Sequence, residues 1–397
     1  MSAAVFSPVR ANVSPVRSLL RAQRGLTLIE TMVSITLGLL VVGAVLYVYM
    51  GSRGAYRISK STSRTQEAGR FGLDAIMHDV REVGFIGCGS RMSMATYQPI
   101  AINQTAVPPM TLGSVGQAIG GYSASSYQPG STNPWPQPAG IQPAWLSGGG
   151  DVLVLRVATA SPVMMVADSN TATPAIFVAD NCAGVSSGDY VLASSCTGAT
   201  LIRVSNTPPA PAAACTGTGA PVAGGVEIDF APTDSNGNPV NSNSGTPPSF
   251  AYSSLSSAQR FDEYTYYVGQ MPFRQWPALY RYSLRASVAA AVPVAEEIID
   301  HVQSMSVYYG VDPGVGGAVQ YQSAAQVQAA NGGAGNWANV TSVRVQLLTA
   351  GDDAGVADLP RPALAFGAPN TPPGFVPPDT RYWQLFTATA ALRDRLQ

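Results

Sequence analysis

Residues 21–50 read RAQRGLTLIETMVSITLGLLVVGAVLYVYM, an apolar run of about 25 residues that contains a single carboxylate, Glu30. At a rise of about 1.5 Å per residue, the run from Leu26 to Met50 is long enough to cross a hydrocarbon core about 30 Å thick. A secretory signal peptide would have a shorter apolar region followed by a small-residue cleavage site, and the final YVYMGSRG offers none. The run therefore predicts a transmembrane helix that stays in the mature protein.

The charges that flank this run are positive on both sides. Residues 1–25 hold four arginines and no acidic residue, and Arg53, Arg57, Lys60 and Arg64 follow the run. Orientation in a membrane depends on the difference in Lys and Arg number between the two flanks. Because the two flanks balance, a cytoplasmic leader is inferred from the motif described below and not from charge.

The composition of the whole chain excludes two classes of protein. An apolar fraction of 46% in 397 residues can fill a sizeable core, so the chain is not disordered as a whole. Charged residues make up only 11%, Lys60 is the sole lysine, and no extended basic patch of the kind that binds nucleic acid is present. The many Gly and Pro residues indicate a loop-rich β protein outside the cytoplasm.

Glu30 is the residue that a simple membrane anchor does not explain. A carboxylate at the centre of a membrane helix costs about 2.5–3.5 kcal/mol on insertion scales, and less near an interface, so it tends to have a partner. One interpretation is that Glu30 reaches the headgroups, because it is the fifth residue of the span. The other is that cleavage after Gly25 gives Leu26 a free amine, which pairs with Glu30 in the same helix or in a neighbouring molecule.

Residues 25–30, GLTLIE, resemble the class III signal of type IV pilins and type II secretion pseudopilins, in which cleavage follows a Gly and a Glu lies five residues further on. The resemblance implies that prepilin peptidase cleaves after Gly25 at the cytoplasmic face and N-methylates Leu26. It also implies that Glu30 sets the register during filament assembly. The long leader and the Leu in place of the commoner Phe depart from the usual pattern.

Further stretches are similar to the PilW group of minor pilins. The helical stretch EAGRFGLDAIMHDVREVGFIGCG ends in the pair Gly87-Cys88, and the likeness resumes in four later stretches: GGGDVLVLRVA, AEEIIDHVQSMSVYYGVD, WANVTSVRVQLLTA and RYWQLFTATAALRDRL. The resemblance implies a single-pass inner-membrane protein with a periplasmic C-terminal domain, which moves to the pilus at the cell surface on assembly. Its implied partners are prepilin peptidase, other minor pilins, the major pilin and a pilus-tip adhesin, with no cofactor and no catalytic site.

The expected fold class is α+β and pilin-like. A helix over residues 26–85, which spans the membrane over residues 26–50, should pack on an antiparallel β domain with long loops over residues 86–397. No Pro interrupts residues 26–94. Beyond the membrane, five apolar residues recur at helical spacing: Leu73, Ile76, Met77, Val80 and Val83. Four charged residues of the same stretch are expected on other faces: Arg70, Asp74, Asp79 and Arg81.

Strands are predicted where β-branched or alternating apolar residues cluster. These runs are 152–157, 226–230, 264–268, 279–284, 340–348 and 384–391, and residues 296–302 fit either a strand or a short helix. Five stretches rich in Pro and Gly are predicted to be loops: 128–150, 205–225, 232–248, 312–336 and 351–380. A parallel α/β fold is excluded, because the alternating helices that it needs are missing.

The four cysteines follow the predicted span: Cys88, Cys182, Cys196 and Cys215. An even number in an oxidising compartment predicts two disulfides, and three pairings are open. A zinc site is the weaker alternative, since the chain has no CxxC pair and only two histidines, His78 and His301.

Three other patterns resemble known kinds of site. Residues 184–188, GVSSG, match the GxSxG turn of α/β-hydrolases, but the strand-to-helix context and a suitable histidine are missing. The stretch DSNGNPVNSNSG, from Asp234, starts like a calcium loop yet lacks the Gly and Glu that an EF-hand needs at its sixth and twelfth positions. The aromatic stretch YTYYVGQMPFRQWPALYRY, 264–282, fits either a buried core or an exposed face for glycan binding.

The favoured interpretation is therefore a minor pilin that helps to start type IV pilus assembly at the filament tip and supports twitching motility and adhesion. Two alternatives stay open at this stage. One is a J-type minor pseudopilin of a type II secretion system. The other is a membrane-tethered adhesin or lectin that uses the aromatic stretch.

Overall fold

The structure is a computed structural model that describes residues 27–84, 118–123, 141, 146, 150–158, 163–170, 175–195, 199–209, 225–231, 241, 256–284, 294–314, 318–331, 335–356, 363–367 and 374–392. The chain divides into two compact units, Met1–Tyr56 and Arg57–Gln397.

The first described element is a single α-helix, α1, Leu28–Glu82. Its residues up to Tyr56 belong to the first unit, and all of them are exposed. This part contains a window of mean hydropathy 2.2 and is long and apolar enough to cross a membrane. The helix ends just before Gly84, whose φ of +82° is the left-handed conformation that commonly follows a helix C-terminus.

In the second unit, the predicted apolar stripe of α1 is buried. Ile76 and Val80 are completely shielded from solvent, and Leu73, Met77 and Val83 are also buried. Small residues let the sheet approach the helix closely. At Gly69, an added Cβ would overlap the ring of Phe386.

Ten strands form one antiparallel sheet around a long central strand, β8. The strands are β1 Ile119–Ser123, β2 Asp151–Ala158, β3 Val163–Asn170, β4 Ala175–Val178, β5 Tyr190–Ser194, β6 Ala199–Arg203, β7 Val226–Asp229, β8 Ser257–Gly269, β9 Ala278–Ser283 and β10 Ala295–Asp300. The order is β1-β2-β8-β3-β4-β7. In addition, β5 pairs with β8 and β6, and β9 pairs with β8 and β10, so β8 has four partner strands.

A second antiparallel sheet contains four strands in the order β12-β11-β13-β14. They are β11 Val302–Val311, β12 Gln320–Gln322, β13 Val340–Ala350 and β14 Trp383–Ala391. A short helix, α2, Ala324–Ala329, follows β12. It begins with a capping box in which Ser323 and Gln326 satisfy each other's backbone N–H groups.

One apolar cluster joins α1 to both sheets. The stripe of α1 packs with Leu153 and Tyr266 of the ten-stranded sheet and with Val307 and Val345 of the four-stranded sheet. The predicted α+β architecture, a long apolar helix followed by an antiparallel β domain, is therefore confirmed.

Candidate functional site

The first turn of α1 presents Glu30 to the surroundings of the helix. Its N–H donates to the Thr27 carbonyl oxygen at 3.0 Å, and its own carbonyl accepts from the Ser34 hydroxyl at 2.7 Å. The carboxylate is exposed, and its place in the first turn suits the partial positive charge of a helix N-terminus. Gly25 and Leu26, the predicted cleavage and methylation position, lie outside the described residues.

In the first unit, the apolar side chains of α1 that follow Glu30 are exposed and are not packed against other described residues. The large side chains between Leu28 and Met50 are at least half exposed, and Tyr47 is 81% exposed. Between Leu28 and Tyr56 the sequence contains only two charged residues, Glu30 and Arg53. An apolar surface of this extent marks contact with lipid or with other apolar helices.

A buried carboxylate fixes the second part of α1 to the ten-stranded sheet. Asp79 is 5% exposed and accepts a hydrogen bond from the Tyr266 hydroxyl at 2.6 Å. Its Oδ2 also lies 3.2 Å from Nη1 of Arg281, which in turn binds Glu296 at 2.8 Å. Burial, and then the charge of Asp79, raises the pKa of Tyr266 well above its ordinary value, so its hydroxyl stays a donor at neutral pH. The network joins α1 to β8, β9 and β10.

The expectation that Asp79 faces away from the buried stripe was wrong. Asp79 follows Ile76 by three residues, and this spacing places both residues on the same face of a helix. A buried charge is tolerated only where a partner offsets its lost hydration. Tyr266 and Arg281 supply that partner from distant parts of the chain, which the helical spacing alone does not reveal.

A second polar cluster joins α1 to the loop after β13. Asp352 accepts a hydrogen bond from Nη1 of Arg64 at 2.6 Å and contacts Nε2 of His301. His301 is buried between β10 and β11 with a φ of +64°, and its Nδ1 lies 2.8 Å from Asp300. Burial alone would raise the pKa of Asp352, but the hydrogen bond from His301 and the charges of His301, Arg64 and Lys60 hold that pKa below its ordinary value.

Each of the two histidines lies beside carboxylates, His78 on α1 and His301 at the junction of β10 and β11. His78 is exposed beside Asp79 and lies 3.9 Å from Glu82. These three residues could in principle hold a metal, since their ligand atoms lie within 4.8 Å of one another. However, Asp79 already accepts from Tyr266 and is paired with a cationic guanidinium, which opposes a second cation.

The GxSxG match is a turn between β4 and β5. Gly184 and Gly188 have φ values of +62° and +86°, and the Ser186 N–H donates to the Asp189 carboxylate at 2.8 Å. The element after this turn is the strand β5, whereas the nucleophile elbow of a hydrolase leads into a helix.

Most of the aromatic stretch is buried. Tyr266, Tyr267, Tyr280 and Tyr282 are at most 2% exposed, whereas Phe273, at the turn between β8 and β9, is 99% exposed. Among the described residues of this stretch, the exposed aromatic face that a lectin would use is therefore not formed.

The cysteines and the Asn-rich stretch lie mostly outside the described residues. Cys182 is disulfide-bonded. Cys88, Cys196 and Cys215 fall outside the described part, so the pairing stays a prediction. In the stretch that starts at Asp234, only Asn241 is described, and its side chain bonds the backbone of Arg203 and Ala231.

Two family models match the chain. Residues 20–46 match the prokaryotic N-terminal methylation motif. Residues 265–394 match PilW, the type IV pilus-assembly protein W. Over these two regions the chain is therefore similar to type IV pilins and to the PilW family. No curated protein and no solved structure matches the chain.

The PilW and methylation matches fall on the two sites described above. The methylation motif covers Gly25, Leu26, Glu30 and the apolar start of α1, which together mark a membrane-anchored protein. The PilW match runs from the second half of β8 to the end of β14 and includes Tyr266, with which α1 is bound to the sheet. Strands β1 to β7 lie outside both matches.

Proposed function

We propose that the chain is a minor pilin that helps to initiate assembly of the type IV pilus and becomes part of the filament. One observation carries this proposal. A methylation motif and a PilW match occur in one chain, at the start of an exposed apolar helix and in the β domain on which the same helix ends. This is the arrangement that a subunit needs if it waits in a membrane and then enters a helical filament.

In this proposal the N-terminus is made by proteolysis. Prepilin peptidase removes residues 1–25 and N-methylates the new amine of Leu26. Glu30, exposed in the first turn of α1, then neutralises the amine of a neighbouring subunit. Such a pair is worth more in an apolar surrounding than in water, because a low dielectric strengthens the attraction between charges. The pairing would set the register of one helix against the next.

The β domain faces the periplasm before assembly and the cell surface afterwards. There it would join other minor pilins in a small complex that primes polymerisation of the major pilin and holds a tip adhesin. Twitching motility and adhesion would follow from piliation. The proposed role is structural and uses no catalytic site.

The test replaces Glu30 in the chromosomal copy. A Glu30→Ala strain should keep a normal amount of the protein in the inner membrane, while the amount in sheared pili falls about tenfold or more. Glu67→Ala, which removes an exposed acid of α1 outside the predicted span, is the matched control and should assemble normally. Normal incorporation of the Glu30→Ala protein would overturn the assembly mechanism.

A J-type pseudopilin of type II secretion is the second candidate, because the class III signal is common to both systems. A deletion strain separates the two. Loss of surface pili with normal protein export supports the pilus, and loss of export with normal piliation supports the secretion system. The structure gives the lectin alternative no support, since most of the aromatic residues on which it depends are buried.

A further inference from the structure

Three cations follow one another on one face of α1 in the second unit. Arg57, Lys60 and Arg64 are spaced by three and four residues, so they project within about 60° of one another around the helix axis. All three are exposed. We call these three residues the basic stripe.

The basic stripe is poorly neutralised by the rest of the described structure. The sequence between Glu30 and Glu67 contains no acidic residue. Asp352 binds Arg64 and also acts electrostatically on Lys60, but it is shared with His301. Within the described ranges, no salt bridge is formed by Arg57 or Lys60. The stripe therefore has capacity for an external anion.

The sequence keeps the basic stripe close to the membrane surface. Arg57 comes seven residues after Met50, where the predicted span ends. Seven residues of chain reach at most about 25 Å, so the stripe cannot move far from the surface while the span is in a bilayer. Tyr47, Tyr49 and Tyr56, which precede the stripe, are exposed, and aromatic residues of this kind are enriched at membrane interfaces.

We propose that the basic stripe binds the anionic headgroups of phospholipids such as phosphatidylglycerol. This inference rests on the membrane-held stage of the proposed function. The guanidinium of Arg57 can donate two hydrogen bonds to phosphate oxygens, and Lys60 adds a point charge. Each cation near an anionic surface favours binding by about fivefold. A lipid is a better match than an acidic protein, because the chain tethers the stripe beside the membrane in every unassembled copy.

While the subunit is unassembled, this binding would concentrate it in regions of the membrane that are rich in anionic lipid. On entry into a filament, the basic stripe would leave the headgroups. The lipid contact is therefore a property of the waiting subunit, and it can be measured on the isolated protein without any pilus.

The test uses the full-length protein in phosphatidylcholine vesicles with a trace of spin-labelled lipid. Electron paramagnetic resonance then gives the fraction of labelled phosphatidylglycerol, or of labelled phosphatidylcholine, that the protein immobilises. We expect the protein to prefer phosphatidylglycerol by about threefold or more at low salt. The preference should shrink at about 1 M salt, where the Debye length is about 3 Å.

Two double variants make the comparison specific. Arg57→Gln with Lys60→Gln should lower the preference by about twofold or more relative to the wild type. Arg70→Gln with Arg81→Gln removes two exposed cations further along α1 and should leave the preference unchanged. The leader arginines are common to all three proteins, so differences among them report on the stripe. Unfolding midpoints of the variants should match the wild type, because these side chains are exposed.

An equal preference in wild type and in the Arg57→Gln, Lys60→Gln variant would overturn the proposal. Absence of any preference in the wild type would also overturn it. Salt-sensitive cross-linking between protein copies, with no lipid preference, would mean that the stripe binds an acidic protein face instead, which contradicts the lipid assignment. Because reconstitution needs no other pilus protein, a negative result here leaves the pilus role itself unaffected.

Discussion

The hydroxyl of Tyr266 donates a 2.6 Å hydrogen bond to the buried carboxylate of Asp79. This contact joins the second part of α1 to the central strand of the ten-stranded sheet, beside the apolar cluster that α1 forms with both sheets. Arg281 provides the opposite charge at 3.2 Å. A buried carboxylate with a paired cation adds little net stability to a protein. Removal of one of its partners is nevertheless costly, because the buried charge then loses part of what offsets its lost hydration. We infer that the network fixes the position of the helix on the sheet.

Replacement of Tyr266 by Phe should destabilise the β domain. The ring would still fill its buried place, while Asp79 would lose the shorter of these two hydrogen bonds and keep the one from Arg281 at 3.2 Å. We expect the free energy of unfolding to fall by about 1–3 kcal/mol. Urea unfolding of the detergent-extracted full chain, followed by near-UV circular dichroism, measures this loss. Tyr321→Phe is the control, because the ring of Tyr321, and not its hydroxyl, contacts Arg344 at 3.8 Å. A wild-type unfolding midpoint for Tyr266→Phe would contradict the prediction.

Gly69→Ala should destabilise the protein although Ala is the better helix former. The helix itself would gain about 0.5–1 kcal/mol, but the new methyl group would overlap the Phe386 ring, and overpacking of this kind costs about 1–3 kcal/mol. We therefore expect a net loss in thermal unfolding experiments. Gly54→Ala is the matched control, because nothing lies within 4 Å of a Cβ at that position and only the helical gain remains. Equal effects of the two substitutions would show that Phe386 does not pack on Gly69.

The Asp352 cluster predicts a loss of stability in acid. Burial alone would raise the pKa of this carboxyl, but His301, Arg64 and Lys60 hold the pKa below its ordinary value of 3.8 in the folded state. A carboxyl whose pKa is lowered on folding stabilises the protein above its unfolded pKa, and this contribution disappears as the pH falls through the folded value. The wild type should therefore lose this contribution progressively below about pH 4.

An Asp352→Asn variant separates this contribution from general acid unfolding. It should be less stable than the wild type by about 1 kcal/mol at pH 7, with a difference that narrows toward pH 3. Thermal melts across that pH range measure both quantities. Asp353→Asn serves as the control at the neighbouring position. A constant difference between Asp352→Asn and wild type at all pH values would contradict the assignment.

The long helix and the main strands could be predicted from local pattern. The absence of Pro and the apolar stripe from Leu73 to Val83 indicate α1, and the β-branched runs at 152–157 and 340–348 fall within β2 and β13. The ambiguous run at 296–302 covers all but the first residue of β10, Ala295–Asp300, and the first residue of β11. These residues carry their own structural preference, so no distant contact is needed to recognise them.

Other elements depend on contacts that the local sequence does not show. Strand β1, IGGYS, contains two glycines that disfavour a strand, and it forms because it pairs with β2. Residues 312–336 were expected to be a loop, yet they contain β12 and the six-residue helix α2. Helix α2 is too short to be stable alone and is held by its capping box and by the burial of Val327.

The same distinction between local and distant signals decides which site residues could be predicted. Glu30 stands out because a single carboxylate interrupts an apolar run, which is a local signal. Asp79 and His301 were missed as buried structural residues, since their partners Tyr266 and Asp352 lie far away in the sequence. His301 also has a left-handed backbone conformation at the junction of β10 and β11, which is uncommon for a residue with a side chain.

The central claim is that the chain is processed and used as a pilin. The most direct test is the N-terminal residue and the intact mass of the membrane-extracted protein, produced with and without prepilin peptidase. We predict a chain that begins at N-methylated Leu26 when the peptidase is present and at or near Met1 when it is absent. A chain that begins near Met1 in both samples would contradict the claim, and Glu30 would then be an interfacial acid on the anchor of some other membrane protein.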